Sequence, residues 1–362
     1  MACCDPGPGA WAPPRPTDRP EPAGPLARYA LVVRALGSPF VAAVLEAAER
    51  QLHRAPRTAA LIAAWPRDAA ADALAMRFNA ALHAIARRGT DPVLSRLYAE
   101  QDGDFDAAIG RAMAAADADI AAWMRTPPQT NEVGRTAAIM AALMALRARV
   151  DMPCDLHELG ASAGLNLNLD RYAFDLGGTR VGAPASPVRV APAWHGPAPR
   201  PRAVTIRSAR GVDLRPLDVD DAEACERLMA YVWADEPDRS ERLAQALHLA
   251  RTHPPRVDHG DIAVWLPAIL AAPQDAGTCR VVMHSMALQY LDTDARAAVE
   301  QAFVVAGDRA TIERPLARIG FEWTPARDAV HLTLTIWPDG TSRRLATCHA
   351  YGAWIDWHHR DD

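Results

Sequence analysis

The sequence predicts an α/β protein: a Rossmann-like, mostly parallel seven-stranded sheet with an N-terminal helical domain. Three observations predict it. Residues 26–150 read as helix throughout, and residues after 154 alternate strand with helix. The two textures meet at an acid followed by a run of small residues, Glu158-Leu159-Gly160-Ala161-Ser162-Ala163-Gly164. Alternation of this kind argues a sheet covered by helices, and small residues at a strand-to-helix turn admit a ligand close to the backbone.

Composition bounds the rest. A chain of 362 residues, 50% hydrophobic and 23% charged, buries a sizeable core and has room for two domains. Its 39 basic and 44 acidic side chains leave a net charge of −5, and arginines such as Arg200, Arg202, Arg343 and Arg344 are scattered. A nucleic-acid surface is not expected. Six cysteines show neither C-x-x-C pairs nor a disulfide-framework spacing, which fits a cytoplasmic protein. No apolar run reaches membrane-spanning length, and the N-terminus lacks the apolar core of a secretory signal.

Along the chain, residues 1–25 are proline-rich and read as a disordered tail, with Cys3 and Cys4 as exposed thiols within it. The helical cap domain spans 26–150. Alanine, leucine and methionine at three-and-four spacing place helices over 26–36, 40–52, 69–88, 105–124 and 132–149. Gly37-Ser38-Pro39, Gly89-Thr90-Asp91-Pro92, Gly103 and Pro127-Pro128 separate them. The α/β domain spans 151–357, and a Gly/Pro-rich insertion at 172–201 reads as hairpins and turns over the sheet edge. Strands are expected at 154–159, 203–207, 279–284, 309–314, 329–337 and 343–349, the last two as a terminal antiparallel hairpin. Helices are expected at 164–170, 221–233, 237–251, 261–272 and 293–303.

The turn after 154–159 supports two chemistries. Gly160-Ala161-Ser162-Ala163-Gly164 spells G-x-S-x-G, the nucleophile elbow of α/β hydrolases, with Ser162 as nucleophile and Asp261 or Asp275 and His349 as partners. An elbow, however, normally follows several earlier strands, and everything upstream here reads helical. A glycine turn after the first strand is the position of dinucleotide and S-adenosylmethionine sites, with free N–H groups offered by the helix that follows. The spacing E-x-G-x-x-x-G departs from the G-x-G-x-x-G of nicotinamide sites. It resembles the first motif of S-adenosylmethionine-dependent methyltransferases, where an acid precedes a short glycine turn. Tight helix–strand packing is the plain alternative. Asp213, after strand 203–207, is then the acid for the ribose hydroxyls, and Asp261, before a helix, faces an adenine edge. His284 and Ser285 end an apolar strand at the carboxyl edge of the sheet, where open α/β sheets bind their ligands.

Several longer motifs also carry a resemblance: Thr130-Asn131-Glu132-Val133-Gly134-Arg135, His157 through Asn166, Asp170-Arg171-Tyr172, Gly211 through Val219, and His349-Ala350-Tyr351-Gly352-Ala353-Trp354. Together they resemble the bacterial family designated domain of unknown function 2332, from about residue 26 to 357. The resemblance implies a second half similar to class I methyltransferases and attaches no reaction of its own.

The expected cofactor site therefore comprises Arg135, Glu158, Gly160, Ala161, Ser162, Gly164, Asn166, Asp213 and Asp261. Arg135, one helical turn from Asn131, would clamp the cofactor carboxylate, against the plainer reading of a surface arginine behind an Asn131 cap. His284, Ser285 and Tyr290 would orient or deprotonate a small-molecule acceptor. His157 reads as a core histidine, Asp170 with Arg171 as a brace for the insertion, and the tryptophans as packing. Cys348, His349, His358 and His359 lack a familiar zinc spacing, so no metal is expected. The leading expectation is an S-adenosylmethionine-binding protein acting as a small-molecule methyltransferase. The rivals are a serine hydrolase using Ser162 and a non-catalytic scaffold that has kept the sheet.

Overall fold

The computed structural model describes residues 24–66, 68–70 and 72–359. Most of the expected proline-rich tail, with Cys3 and Cys4, lies outside the described residues. Twelve α-helices are described. They are α1 Pro25–Ala35, α2 Pro39–Gln51, α3 Pro56–Ala63, α4 Leu74–Arg88, α5 Pro92–Glu100 and α6 Phe105–Ala115. Then follow α7 Asp117–Met124, α8 Thr136–Arg147, α9 Ala222–Tyr231, α10 Pro237–Thr252, α11 Ile262–Ala271 and α12 Thr293–Gly307. The described chain forms two compact units, one of residues 24–130 with 217–247, the other of 131–216 with 248–359.

The first unit is helical. Aspartates start its helices: Asp91 accepts from the N–H groups of Val93 and Leu94 ahead of α5, Asp104 from Ala107 in α6, and Asp221 from Glu223 and Ala224 in α9. Sequence periodicity over 69–88 overran the start of α4, because Ala73 is left-handed at φ 54° and the helix begins only at Leu74. The helix expected over 105–124 is two, broken at Ala116. Asp117, just past the break, turns its carboxylate onto the N–H groups of Arg57 and Thr58, at 2.9 and 2.8 Å, and so caps α3. α3 and α5 were not anticipated; each opens on a proline at its first position.

The second unit is built on a sheet of nine strands, not seven. Its members and the insertion are β1 Cys154–Leu159, β2 Ala173–Leu176, β3 Thr179–Gly182, β4 Arg189–Val190, β5 Ala193–His195 and β6 Ile206–Asp213. They continue as β7 Val257–His259, β8 Cys279–Ser285, β9 Leu316–Trp323, β10 Val330–Trp337, β11 Thr341–Cys348 and β12 Trp354–Trp357. The order is β5-β12-β11-β10-β9-β8-β1-β6-β7, with β2, β3 and β4 forming a separate small sheet from the insertion. Strands β9, β8, β1, β6 and β7 run parallel; β10, β11 and β12 return antiparallel. Six of the nine answer to the six ranges read from the sequence; β5, β7 and β12 do not, and each is too short to show an alternating pattern. The strand expected over 203–207 lies at β6. That expected over 309–314 lies at β9, because Thr311 and Arg314 exchange backbone hydrogen bonds and close a turn before Pro315.

Leu159, Val212 and Val282 of the sheet bury against Leu266 and Leu270 of α11 and Val299 and Phe303 of α12. α8, buried along nearly its whole length, packs on β9, β10 and β11. From β1 the chain goes to β6 and β7 on one side and then crosses to β8 on the other. The carboxyl ends of β1 and β8 are therefore the switch point at which open α/β sheets leave a crevice for ligands. No helix among the described residues is long and apolar enough to cross a membrane.

Candidate functional site

β1 delivers Glu158 to that switch point with only 3% of its surface exposed. Asn166 Nδ2 donates to its Oε1 at 3.0 Å, while its Oε2, buried, has no partner. Burial pushes the Glu158 pKa up to about 8, opposed by the Asn166 hydrogen bond and the Arg135 charge. Two further buried atoms of the same turn lack partners, Ser162 Oγ and Asn166 Oδ1. Three polar atoms around the end of β1 therefore keep hydrogen-bonding capacity for a ligand or water.

The turn itself differs from expectation in one respect. Several of its N–H groups are already engaged: those of Gly160 and Ala161 donate to Val212 O, that of Ser162 to Asp213 Oδ2 at 2.8 Å, and that of Leu165 to Asn131 Oδ1 at 2.9 Å. The expected helix 164–170 is a 3-10 helix over Leu165–Arg171. Neighbouring elements have thus taken most of the donors that an anion cradle of the phosphate-binding kind would use. Gly160 sits at φ 72°, and a Cβ there would lie 2.7 Å from Ala287 Cβ; at Gly164 it would meet Val257 and Pro255. These glycines serve close packing between β1 and the segments after β8 and before β7. Ala161 is fully buried under Gly211, where an added Cβ would lie 2.5 Å from its own.

Arg135 precedes α8 and is 7% exposed. Its Nε donates to Ala350 O at 2.9 Å and its Nη1 to Ser285 O at 3.3 Å, and its guanidinium lies 5.8 Å from the Phe321 ring. Burial lowers its pKa, countered by the charge of Glu132 and by Tyr351, Tyr290 and Glu322 around it. Gly352 permits this: a Cβ there would lie 2.5 Å from the Gly134 carbonyl. Asp213, half-buried at the end of β6, accepts from Ser162 N–H through one oxygen and from Arg215 N–H through the other. Asp261 is exposed and caps α11 through Ala263 N–H at 2.7 Å.

Of the acceptor-side residues, His284 is 2% exposed and both ring nitrogens are engaged. Arg318 Nε–H donates to its Nε2 at 3.0 Å, so the proton sits on Nδ1 and is donated to Glu322 Oε1 at 2.8 Å. Burial lowers its pKa against the pull of Glu322. Glu322 Oε1 also accepts the N–H groups of Ala287 and Leu288, so this network fixes the segment that abuts Gly160. Sequence reasoning missed Glu322 and Arg318, which stand in β9, a strand that the sequence pattern places at 309–314. Ser285 lends its carbonyl to Arg135, and Tyr290 stands 61% exposed after β8. The hydrolase partners do not gather on Ser162: its Oγ is unpartnered, Asp275 pairs with Arg207, and His349 Nδ1 accepts from Tyr351 N–H. No group of three or more metal-ligating side chains is assembled among the described residues.

The motifs that converge here, 131–135, 157–166, 211–213 and 349–354, are far apart in sequence. A family model described as "Uncharacterized protein conserved in bacteria (DUF2332)" matches residues 24–357. The chain belongs to the DUF2332 family. No curated protein and no solved structure matches it. The motifs of this DUF2332 chain thus meet around one buried carboxylate and one buried guanidinium at the switch point of its sheet.

Proposed function

We propose that this DUF2332 protein binds S-adenosylmethionine at the carboxyl ends of β1, β6 and β8 and transfers its methyl group to a small molecule. The observation that carries the reading is Glu158, buried at the switch point with Oε2 unpartnered and Arg135 close enough to lower its pKa. A pair of opposite, desolvated groups suits a ligand with an ammonium and a carboxylate on one carbon. Glu158 Oε2 and Asn166 Oδ1 would accept from the ammonium, and Arg135 would hold the carboxylate. Asp213 keeps lone pairs beyond its two backbone hydrogen bonds, one residue past Val212 on the strand beside β1, and would accept from the ribose hydroxyls. The sheet order β7-β6-β1-β8-β9 is the order of a doubly wound nucleotide-binding sheet, and the residues present fit the cofactor's donor and acceptor set.

Bound there, the cofactor supplies an electrophilic methyl group. The chain then has to hold the acceptor in line with it, a role that Ser285, the last residue of β8, and Tyr290, five residues further on, would take. His284, held between Arg318 and Glu322, positions the segment after β8 instead of exchanging a proton with substrate.

One observation favours the hydrolase: Ser162 is left-handed at φ 54°, the strained backbone of a nucleophile elbow. Ser162→Ala separates the readings. Under our proposal the variant binds S-adenosylhomocysteine within about 1 kcal/mol of wild type, the net worth of one hydrogen bond, and neither protein hydrolyses activated esters. Ester turnover by wild type that disappears in Ser162→Ala would replace the proposal with the hydrolase. No binding and no turnover in either protein would leave a scaffold.

A further inference from the structure

Helix α11 lacks the polar outer face of a surface helix. Ile262–Ala271 carry no charged side chain, and the Trp265 indole supplies the one polar group. Leu266 and Leu270 face the core, yet Val264 on the outside is 74% exposed, with Pro267, Ala268 and Ala271 also exposed. A helix that is apolar all round is normally covered on every side. α12 packs against α11 and extends the surface: Val304 and Val305 are 54% and 39% exposed, and Ala297 and Ala298 are open to solvent.

The order of residues along α12 points to what covers this face. Asp294, Ala298, Gln301, Val305 and Arg309 recur at intervals of four, three, four and four, which makes them one stripe, and all are exposed. Arg309 lies past Gly307, but the winding continues: Asp308 N–H donates to Val304 O and Arg309 N–H to Ala306 O. Ala302 and Ala306, packed on the core with Leu266 and Leu270, mark the flank on which the stripe borders α11. Charge stands only at its ends, acid at the start and base at the finish. Arg296 and Glu300 are spent inside the chain, on Leu288 O and on Arg318. The Asp294 and Arg309 side chains pair with nothing among the described residues. Asp308 belongs to the neighbouring row, with Val304.

Such a stripe is complementary to itself turned end for end. Laid antiparallel on a second copy, about a two-fold axis between Gln301 and Ala302, Asp294 of each copy meets Arg309 of the other. Ala298 then meets Val305, small against large, and the two Gln301 amides lie beside the axis, where each can donate to the other. Two-fold symmetry makes every contact twice. Parallel packing would instead set like charge on like.

We propose that the outer face of α11 and α12 is the interface of a homodimer, with α12 antiparallel to its counterpart in a second copy of this chain. The proposal does not rest on the methyl-donor reading. The test is sedimentation velocity of the full chain over a micromolar concentration series at low ionic strength. Wild type sediments as a dimer. Val305→Glu, at an exposed position, gives a monomer with an unchanged thermal midpoint. Asp294→Arg and Arg309→Asp each weaken the dimer by about tenfold or more, because each creates two like-charge contacts. Mixed in equal amounts, these two variants form the dimer that neither forms alone, since the mixed pair regains both ion pairs. A wild type that stays monomeric throughout the series overturns the proposal. So does a dimer that Val305→Glu leaves intact, or a mixture of the two charge variants that associates no more tightly than each does alone.

Discussion

At the scale of single residues, Glu158 ties stability to the proposed ligand site. Its folded pKa of about 8 stands above the ordinary 4.5, so the folded state holds a proton that the unfolded state releases in between. Its contribution is present in full below the unfolded value and is lost as pH rises through the folded one. Glu158→Gln keeps the acceptor for Asn166 and removes the titration. Relative to the variant, wild type should lose on the order of a few kcal/mol between pH 5 and 8, read from urea midpoints. Parallel profiles would mean that Glu158 is not desolvated. His83 and His157, both held near pKa 4 by burial, act in the opposite sense as pH falls below 6.5, but equally in both proteins. Ligand binding reports the same group: an ammonium on Oε2 requires the ionised form, so affinity for S-adenosylhomocysteine should rise between pH 6 and 8. Protons should be released in the process, measured by calorimetry in buffers of different ionisation enthalpy. Glu158→Gln should abolish the release.

At the scale of elements, the turn after β1 shows both what a sequence discloses and what it withholds. Glycine and alanine over 160–164 predicted a tight strand-to-helix turn, and the left-handed Gly160 against Ala287 bears that out. The fate of the N–H groups was not readable, because the acceptors Asp213 and Asn131 lie 51 and 34 residues away and reach the turn only once β6 and the segment before α8 are docked. β9 was misplaced for a related reason. Its preceding turn, 311–314, carries apolar and charged residues indistinguishable from an edge strand, whereas the strand itself begins at Leu316, after Pro315. Packing at Gly160 makes a defined prediction. Gly160→Ala should destabilise the fold by about 2–4 kcal/mol, part from the left-handed backbone and part from collision with Ala287. Adding Ala287→Gly should recover the collision part alone. Full recovery, or none, in the double-mutant cycle would mean that only one of the two effects operates.

At the scale of the molecule, the parallel core β7-β6-β1-β8-β9 follows from strand and helix alternation, which the sequence displays plainly. The antiparallel return through β10, β11 and β12 was legible as a hairpin but not as an extension to nine strands, since β12 and β5 are four and three residues long. That return matters because it carries Tyr351 and Gly352 back to Gly134 and Arg135, closing the site with the C-terminal motif. The central claim is that this closed site holds S-adenosylmethionine. Equilibrium dialysis of the full chain against labelled S-adenosylmethionine tests it most directly. Saturable binding of one molecule per chain is expected, displaced by S-adenosylhomocysteine and weakened at least tenfold by Arg135→Ala, a loss of about 1.4 kcal/mol or more. Absence of saturable binding to folded wild-type protein, or binding untouched by Arg135→Ala, would contradict it.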